Sequence, residues 1–274
     1  MKVSFQGQPG AYSEAALLHL FPQAEPLPCP SFAEAFAAVQ TGAADRAVIP
    51  VENRIAGRVA DVHSLLPGSG LHIVGEHYEP IDHHLLAVPG ATLEGIGTAL
   101  SHEQALTQVR GFLTKHNITP VVFHDTAGGA AEVALRGNPT IAAVASARAG
   151  AAYGLITLAT GISDNPANMT RFLVLSRTPD VPAVGAPVIT SLEFTLRSIP
   201  AALYKALGGF ATSGINLTKI ESYLSEKDFT SASFYIDIEA HPGEDRTQHA
   251  LDELRFFTSD IRILGTYPQG KRPQ

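Results

Sequence analysis

The chain has 274 residues, 45% hydrophobic and 16% charged, with 19 Lys and Arg against 26 Asp and Glu for a net charge of -7. That is ordinary globular material longer than the usual domain, so two domains or one large two-lobed unit are expected. The acidic balance without a basic run argues against a nucleic-acid surface, the single Cys29 excludes an internal disulfide framework or a cysteine metal cluster, and no stretch approaches a transmembrane span.

The first predicted strand is Val3 to Phe5, which stands where a secretory signal would carry a basic segment and an apolar core. A soluble, cytoplasmic protein is expected, with small molecules or further subunits as partners and no membrane. Gln6-Gly7-Gln8-Pro9-Gly10-Ala11-Tyr12-Ser13 then turns into a helix, with glycines for a tight turn and Ser13 available as a cap. Backbone amides at such a helix start favour an anion. The segment lacks the lysine of a phosphate loop and the three-glycine dinucleotide fingerprint, which disfavours a nucleotide.

A helix is expected over Ser31 to Thr41, with Phe32, Phe36 and Val39 on one face and a Ser31/Glu34 capping box. The next strand, Arg46 to Val51, ends in Glu52 and Asn53, where ligands gather outside the carboxyl ends of α/β sheets. Further strands are expected at His84 to Val88, Ala99 to Ser101, Pro120 to Phe123 and Thr140 to Val144. A helix runs from Glu103 to about His116, with Leu106, Val109 and Leu113 inward and Ser101/Gln104 spaced as a capping box. Ser101-His102-Glu103-Gln104 and Asp125-Thr126-Ala127 repeat the strand-end position, although helix capping explains either one as well. The alanine-rich stretch 142–152 reads as a tightly packed helix. Alternation of strands and helices indicates α/β lobes with mostly parallel sheets.

Asp164 to Leu175 is a polar turn that delivers the Thr170 hydroxyl and the Arg171 guanidinium to the mouth of an apolar strand. Arginine offers a planar fork matched to a carboxylate, and threonine can give a hydrogen bond. The same pair also reads as a β-branched strand residue beside a solvated charge.

Three prolines between Arg177 and Pro187 mark a linker. Beyond it Leu192, Phe194 and Leu196 alternate with polar residues. Pro200 suits the first turn of a helix carrying Leu203, Leu207 and Phe210, and Gly214 ends it. Strands follow over Ile215 to Ser225 and Ala232 to Ile238, then a helix with Leu251, Leu254 and Phe257, then a strand from Ile261 to Thr266. The order βαββαβ is the ferredoxin-like unit.

Gly7-x-x-Gly10-x-Tyr12-Ser13, Pro50-Val51-Glu52-Asn53, Ser101-His102-x-Gln104, Tyr153-Gly154-Leu155 and above all Asn168-x-Thr170-Arg171-Phe172 resemble prephenate dehydratase. Gly214-Ile215-Asn216-Leu217-Thr218-Lys219-Ile220-Glu221-Ser222 extends the resemblance into an ACT regulatory domain. It covers nearly the whole chain and implies a catalytic region at 1–178, two-lobed like a type II periplasmic binding protein. Lobe 1 takes about 1–80 plus 160–178 and lobe 2 about 81–159, followed by a linker at 179–187 and an ACT domain at 188–274. The implied reaction is decarboxylative dehydration of prephenate to phenylpyruvate in L-phenylalanine biosynthesis. Aromatisation drives it, so neither metal nor cofactor is called for.

By resemblance Thr170 protonates or polarises the departing hydroxyl, with help from His102, Glu52 or a water. Arg171 binds carboxylate, Phe172 excludes water, and Asn53, Ser101 and Gln104 orient the substrate, with Glu52, His102, Thr126 and Ser13 also in the site. L-phenylalanine is implied as effector at Ala202, Leu203, Asn216, Leu217, Glu221 and Ser222, in a homodimer or homotetramer. Departures from the family pattern stand at Arg54 and Arg58, at Ala201-Ala202-Leu203-Tyr204 and at Tyr223-Leu224. Arogenate as substrate, or a non-catalytic amino-acid sensor on the same two-lobed fold, are the alternatives.

Overall fold

The computed structural model describes residues 1–224 and 232–271. In chain order the elements begin β1 (Lys2–Gln6), α1 (Tyr12–Leu20), β2 (Glu25–Cys29), α2 (Phe32–Gln40), β3 (Arg46–Asn53), β4 (Gly57–Arg58), α3 (Ala60–Leu65) and β5 (His72–Pro80). They continue with β6 (His84–Ala87), β7 (Thr98–Ser101), α4 (Glu103–Gln108), α5 (Arg110–Lys115), β8 (Thr119–Val122), α6 (Thr126–Arg136), β9 (Ile141–Ala145), α7 (Ala147–Tyr153), β10 (Ile156–Ala159) and β11 (Met169–Ser176). The last are β12 (Val188–Leu196), α8 (Ala202–Thr212), β13 (Leu217–Leu224), β14 (Ala232–Ile238), α9 (Asp245–Phe257) and β15 (Thr258–Pro268). Two compact units result, Met1–Val62 with His77–Phe172, and His63–Glu76 with the described residues of 173–271.

One sheet has the order β2-β1-β3-β11-β5, with β4 paired to β3, and a second has the order β10-β6-β9-β7-β8. The sheets are mixed and depart from the mostly parallel expectation, because β4 runs antiparallel to β3 in the first and β6 runs antiparallel to both β9 and β10 in the second. Parallel pairing persists for β1 with β2 and β3, and for β7 with β8 and β9. Within each sheet those parallel strands deliver their carboxyl ends, and the polar turns that follow them, in one direction. The core beneath the second sheet joins Leu85 and Val144 to Leu106, Val109 and Leu113, the inward stripe read from the sequence.

The expected Glu103–His116 helix is broken. Val109, at φ -119°, separates α4 from α5, the Gln108 carbonyl accepts from Asp164 N at 2.8 Å, and the Asp164 carboxylate caps Gly111 N at 3.1 Å. The break thereby ties the loop that precedes β11 to the end of α4. Its cap is also different: His102 accepts from Gln104 N, while Ser101 donates to Val144 O at 2.6 Å and clips β7 to β9. The Ser31/Glu34 cap forms as expected. Ser13 makes no cap, since α1 starts after Ala11, and the alanine-rich stretch is half strand (β9) and half helix (α7).

In the second unit β12 to β15 form an antiparallel sheet of order β13-β14-β12-β15, the ferredoxin-like topology, with Leu192, Phe194, Ala206, Phe210, Ile236 and Leu254 in its core. Pro200 stands outside α8, whose start is set by Ala201 at φ 59°. Ser225, expected in β13, lies outside the described residues.

Gly10 has φ +90°, and a β carbon there would fall 2.5 Å from the Ala149 Cα of α7, whose capping Ser146 donates to the Gly10 carbonyl at 2.7 Å. The glycine is therefore what lets the β1–α1 turn close on α7. Gly10→Ala is expected to cost about 3 kcal/mol in urea unfolding, from the contact and from backbone strain. Gly90→Ala, at the same φ but with nothing within 4 Å, is the control and should show only the strain of about 1 kcal/mol.

Candidate active site

A cleft of about 540 Å³ opens in the first unit, lined by the turns that leave β1, β3, β7 and β8 together with β11. Asn53, the last residue of β3, organises its floor. The Asn53 Oδ1 accepts from the backbone amides of Ile55 at 3.0 Å and Ala56 at 2.8 Å, so the other end of the amide must be the donor. Its Nδ2 reaches Thr170 Oγ1 at 3.0 Å, Asn168 Oδ1 at 2.9 Å and Met169 O at 3.2 Å. Thr170 Oγ1 is thus an acceptor toward Asn53. Its own proton remains to be given, and Thr170 lines the cleft.

The same logic propagates away from Thr170. With Asn168 Oδ1 facing Asn53, the Asn168 Nδ2 donates to Gln108 Oε1 at 2.8 Å. Gln108 Oε1 also faces His83 Nε2 at 2.9 Å, and an oxygen can only accept, so His83 carries its proton on Nε2. The remaining His83 nitrogen, Nδ1, lies 2.9 Å from Tyr12 Oη, which is also 2.7 Å from the Asp82 carbonyl. His83 is 2% exposed, and burial, outweighing the Gln108 hydrogen bond and the Asp82 charge, pushes its pKa down. In a neutral His83 the Nδ1 is an acceptor, so it shares the single Tyr12 hydroxyl proton with the Asp82 carbonyl. Burial, with the charges of Asp82 and Glu79, holds the Tyr12 phenol well above its usual range.

Of the residues singled out in the sequence, Thr170, Phe172, Asn53, His102, Gln104, Thr126 and Ser13 line this cleft. Arg171, Glu52 and Ser101 do not. Strand alternation puts the side chain of Arg171 on the opposite face of β11 from Thr170 and Phe172, and there it is buried. Ser101 is fully buried and bonded to Val144. Between the two departures, Arg58 lines the cleft and Arg54 does not, which puts Arg58 in the lining with the imidazoles of His83, His102 and His124. Tyr12 and Asn168 stand in the motifs of the resemblance without a site role of their own, while His83 and Gln108 have no local signal: 71, 25 and 60 residues separate the partners of successive bonds.

A second cavity of about 510 Å³ lies in the second unit, between Leu196 and Tyr204 with Ala232. Ala202 and Leu203 line it. Asn216, Leu217, Glu221 and Ser222 do not: Asn216 donates to Glu239 at 2.8 Å and Glu221 accepts from Lys219 at 3.1 Å.

Residues 3–180 match the family model described as prephenate dehydratase. A bifunctional N-acyl-homoserine lactone acylase/prephenate dehydratase of Komagataeibacter europaeus is 45% identical over 97% of this chain and 95% of its own length. An arogenate dehydratase/prephenate dehydratase of Arabidopsis thaliana is 43% identical over 98% of this chain and 72% of its own. The solved prephenate dehydratase of Arthrobacter aurescens in complex with L-Phe superposes with a TM-score of 0.90 at 32% identity, covering 98% of this chain and 90% of that one.

A depressed histidine makes a signed stability statement. Below its ordinary value of about 6.5 an unfolded His83 takes up a proton that the folded one resists, so stability falls with pH from there to the lower folded pKa. His83→Gln, which keeps a donor toward Gln108, should lose less stability than the parent between about pH 7.5 and 5. Parallel urea titrations at the two pH values check this.

Proposed function

The chain belongs to the prephenate dehydratase family, a family of carbon–oxygen lyases, and from that premise we propose how this cleft turns prephenate into phenylpyruvate, carbon dioxide and water. The observation that carries the reading is the Asn53–Thr170 bond, because it leaves the Thr170 proton as the one to be donated into the cleft. As the ring carboxylate leaves as carbon dioxide, its bonding electrons enter the ring and expel the ring hydroxyl. Thr170 donates a hydrogen bond to that oxygen as its negative charge grows, and the proton that completes water comes through Thr170 from solvent in the open cleft. Asn53 holds the Thr170 oxygen without competing for its proton.

Prephenate brings two carboxylates. Arg58, His102 and the amide of Gln104 are the lining groups suited to the side-chain carboxylate. Phe172, 1% exposed, with Ile81 and Ala105 forms the poorly solvating wall against which the neutral carbon dioxide is favoured over its parent carboxylate. Arg171, buried behind the strand, acts on this site through the position of β11.

The ferredoxin-like unit is read as an ACT regulatory domain, and the cavity beside Ala202 and Leu203 as the place where L-phenylalanine acts, in a homodimer or homotetramer. A cytoplasmic location and the two-lobed type II binding-protein architecture belong to the same reading. Among the described residues no helix is long and apolar enough to cross a membrane.

The purified protein is expected to produce phenylpyruvate from prephenate, measured by alkaline absorbance with and without L-phenylalanine, and product no faster than the spontaneous rate would overturn the reading. Thr170→Ala should lower kcat by about 10²- to 10³-fold with KM changed by less than about threefold, because the donor matters chiefly in the transition state. Thr170→Ser should retain most of the activity.

A further inference from the structure

We propose that His19, His77 and Glu79 form a three-ligand site for a divalent transition-metal ion of the zinc type, separate from the cleft. His77 and Glu79 are two apart on β5 and so share one face of the strand, and His19 comes down on them from the last turn of α1. His19 Nδ1 lies 2.7 Å and His77 Nε2 2.8 Å from a single oxygen, Glu79 Oε2, and all three ligand atoms fall within 4.8 Å of one another. Two imidazoles and one carboxylate are the donor set of an open zinc site, in which water takes the fourth position.

The convergence on one atom is the informative feature. A buried carboxylate in search of donors alone has two oxygens to offer, yet both imidazoles crowd the same one. Replacing those hydrogen bonds by metal bonds of about 2.0–2.2 Å needs each imidazole nitrogen to draw away from Glu79 Oε2 by roughly half an ångström, to a tetrahedral separation of about 3.3 Å. Burial by itself raises the Glu79 carboxyl, but the hydrogen bonds and charges of His77 and His19 outweigh it and hold it below the usual carboxylate range. Glu79 is 4% exposed, whereas the His19 side chain is 63% exposed, so the site is anchored from inside and reached by solvent from outside. A metal here would staple the end of α1 to β5. The other end of that helix supplies Tyr12 and Ser13 to the cleft.

The test uses the full, tag-free chain stripped with a chelator. Calorimetric titration with Zn²⁺ should give one ion per chain, with Kd on the order of micromolar, and Co²⁺ should give the visible bands of a four-coordinate nitrogen and oxygen site. His19→Ala, an exposed position that endangers no core, should weaken binding by about 10²-fold while leaving dehydratase turnover unchanged, and His77→Ala should weaken binding as much. Absence of saturable binding at one ion per chain, or binding unchanged in both variants, would overturn the proposal.

Discussion

Two backbone amides fix the chemistry of the cleft. By donating to Asn53 Oδ1, Ile55 N and Ala56 N leave the side-chain amide one orientation, and the Thr170 hydroxyl inherits its direction from that. A threonine is a weak acid, so its usefulness depends on having its oxygen held and its proton uncommitted. The same constraint runs outward through Asn168 and Gln108 to the tautomer of His83. Four buried or partly buried polar residues are thereby satisfied in one consistent pattern, and a partly satisfied network in such a place would cost more than it contributes.

The fold exists to bring these groups together. β3 and β11 are neighbours in one sheet, which puts Asn53 beside Thr170 although 117 residues separate them. The break between α4 and α5 lets Asp164 dock, and so carries the 164–168 loop with Asn168 to Gln108. Gly10 allows the first turn to press on α7. The helix break and Gly10 are local departures from regular structure, each placed where it positions part of the site.

Much of this was legible in the sequence, and the illegible part has physical reasons. Alternating apolar positions gave β12, β14 and the ferredoxin-like order, and strand-end polar residues pointed to Asn53, Gln104 and Thr126. β2 was hidden because Pro26 and Pro28 argue against a strand, yet as an edge strand paired only to β1 it tolerates them. The helix break at Val109 follows from a tertiary contact with Asp164, which no periodicity contains. Arg171 illustrates the limit of a motif: adjacency to Thr170 in sequence means the opposite face in a strand. His83 and Gln108 carry no sequence signal, since their roles exist only through partners far along the chain.

A double-mutant cycle on turnover tests the dependence of Thr170 on Asn53 most directly. Asn53→Asp keeps the shape but turns the donor into an acceptor, so the Thr170 proton is drawn to the new carboxylate and away from the substrate. In the parent the substitution should lower kcat by about 10²-fold, whereas in a Thr170→Ala background it should cost less than about threefold. An equal loss in both backgrounds would mean that Asn53 acts on the reaction without the threonine, and would contradict the account.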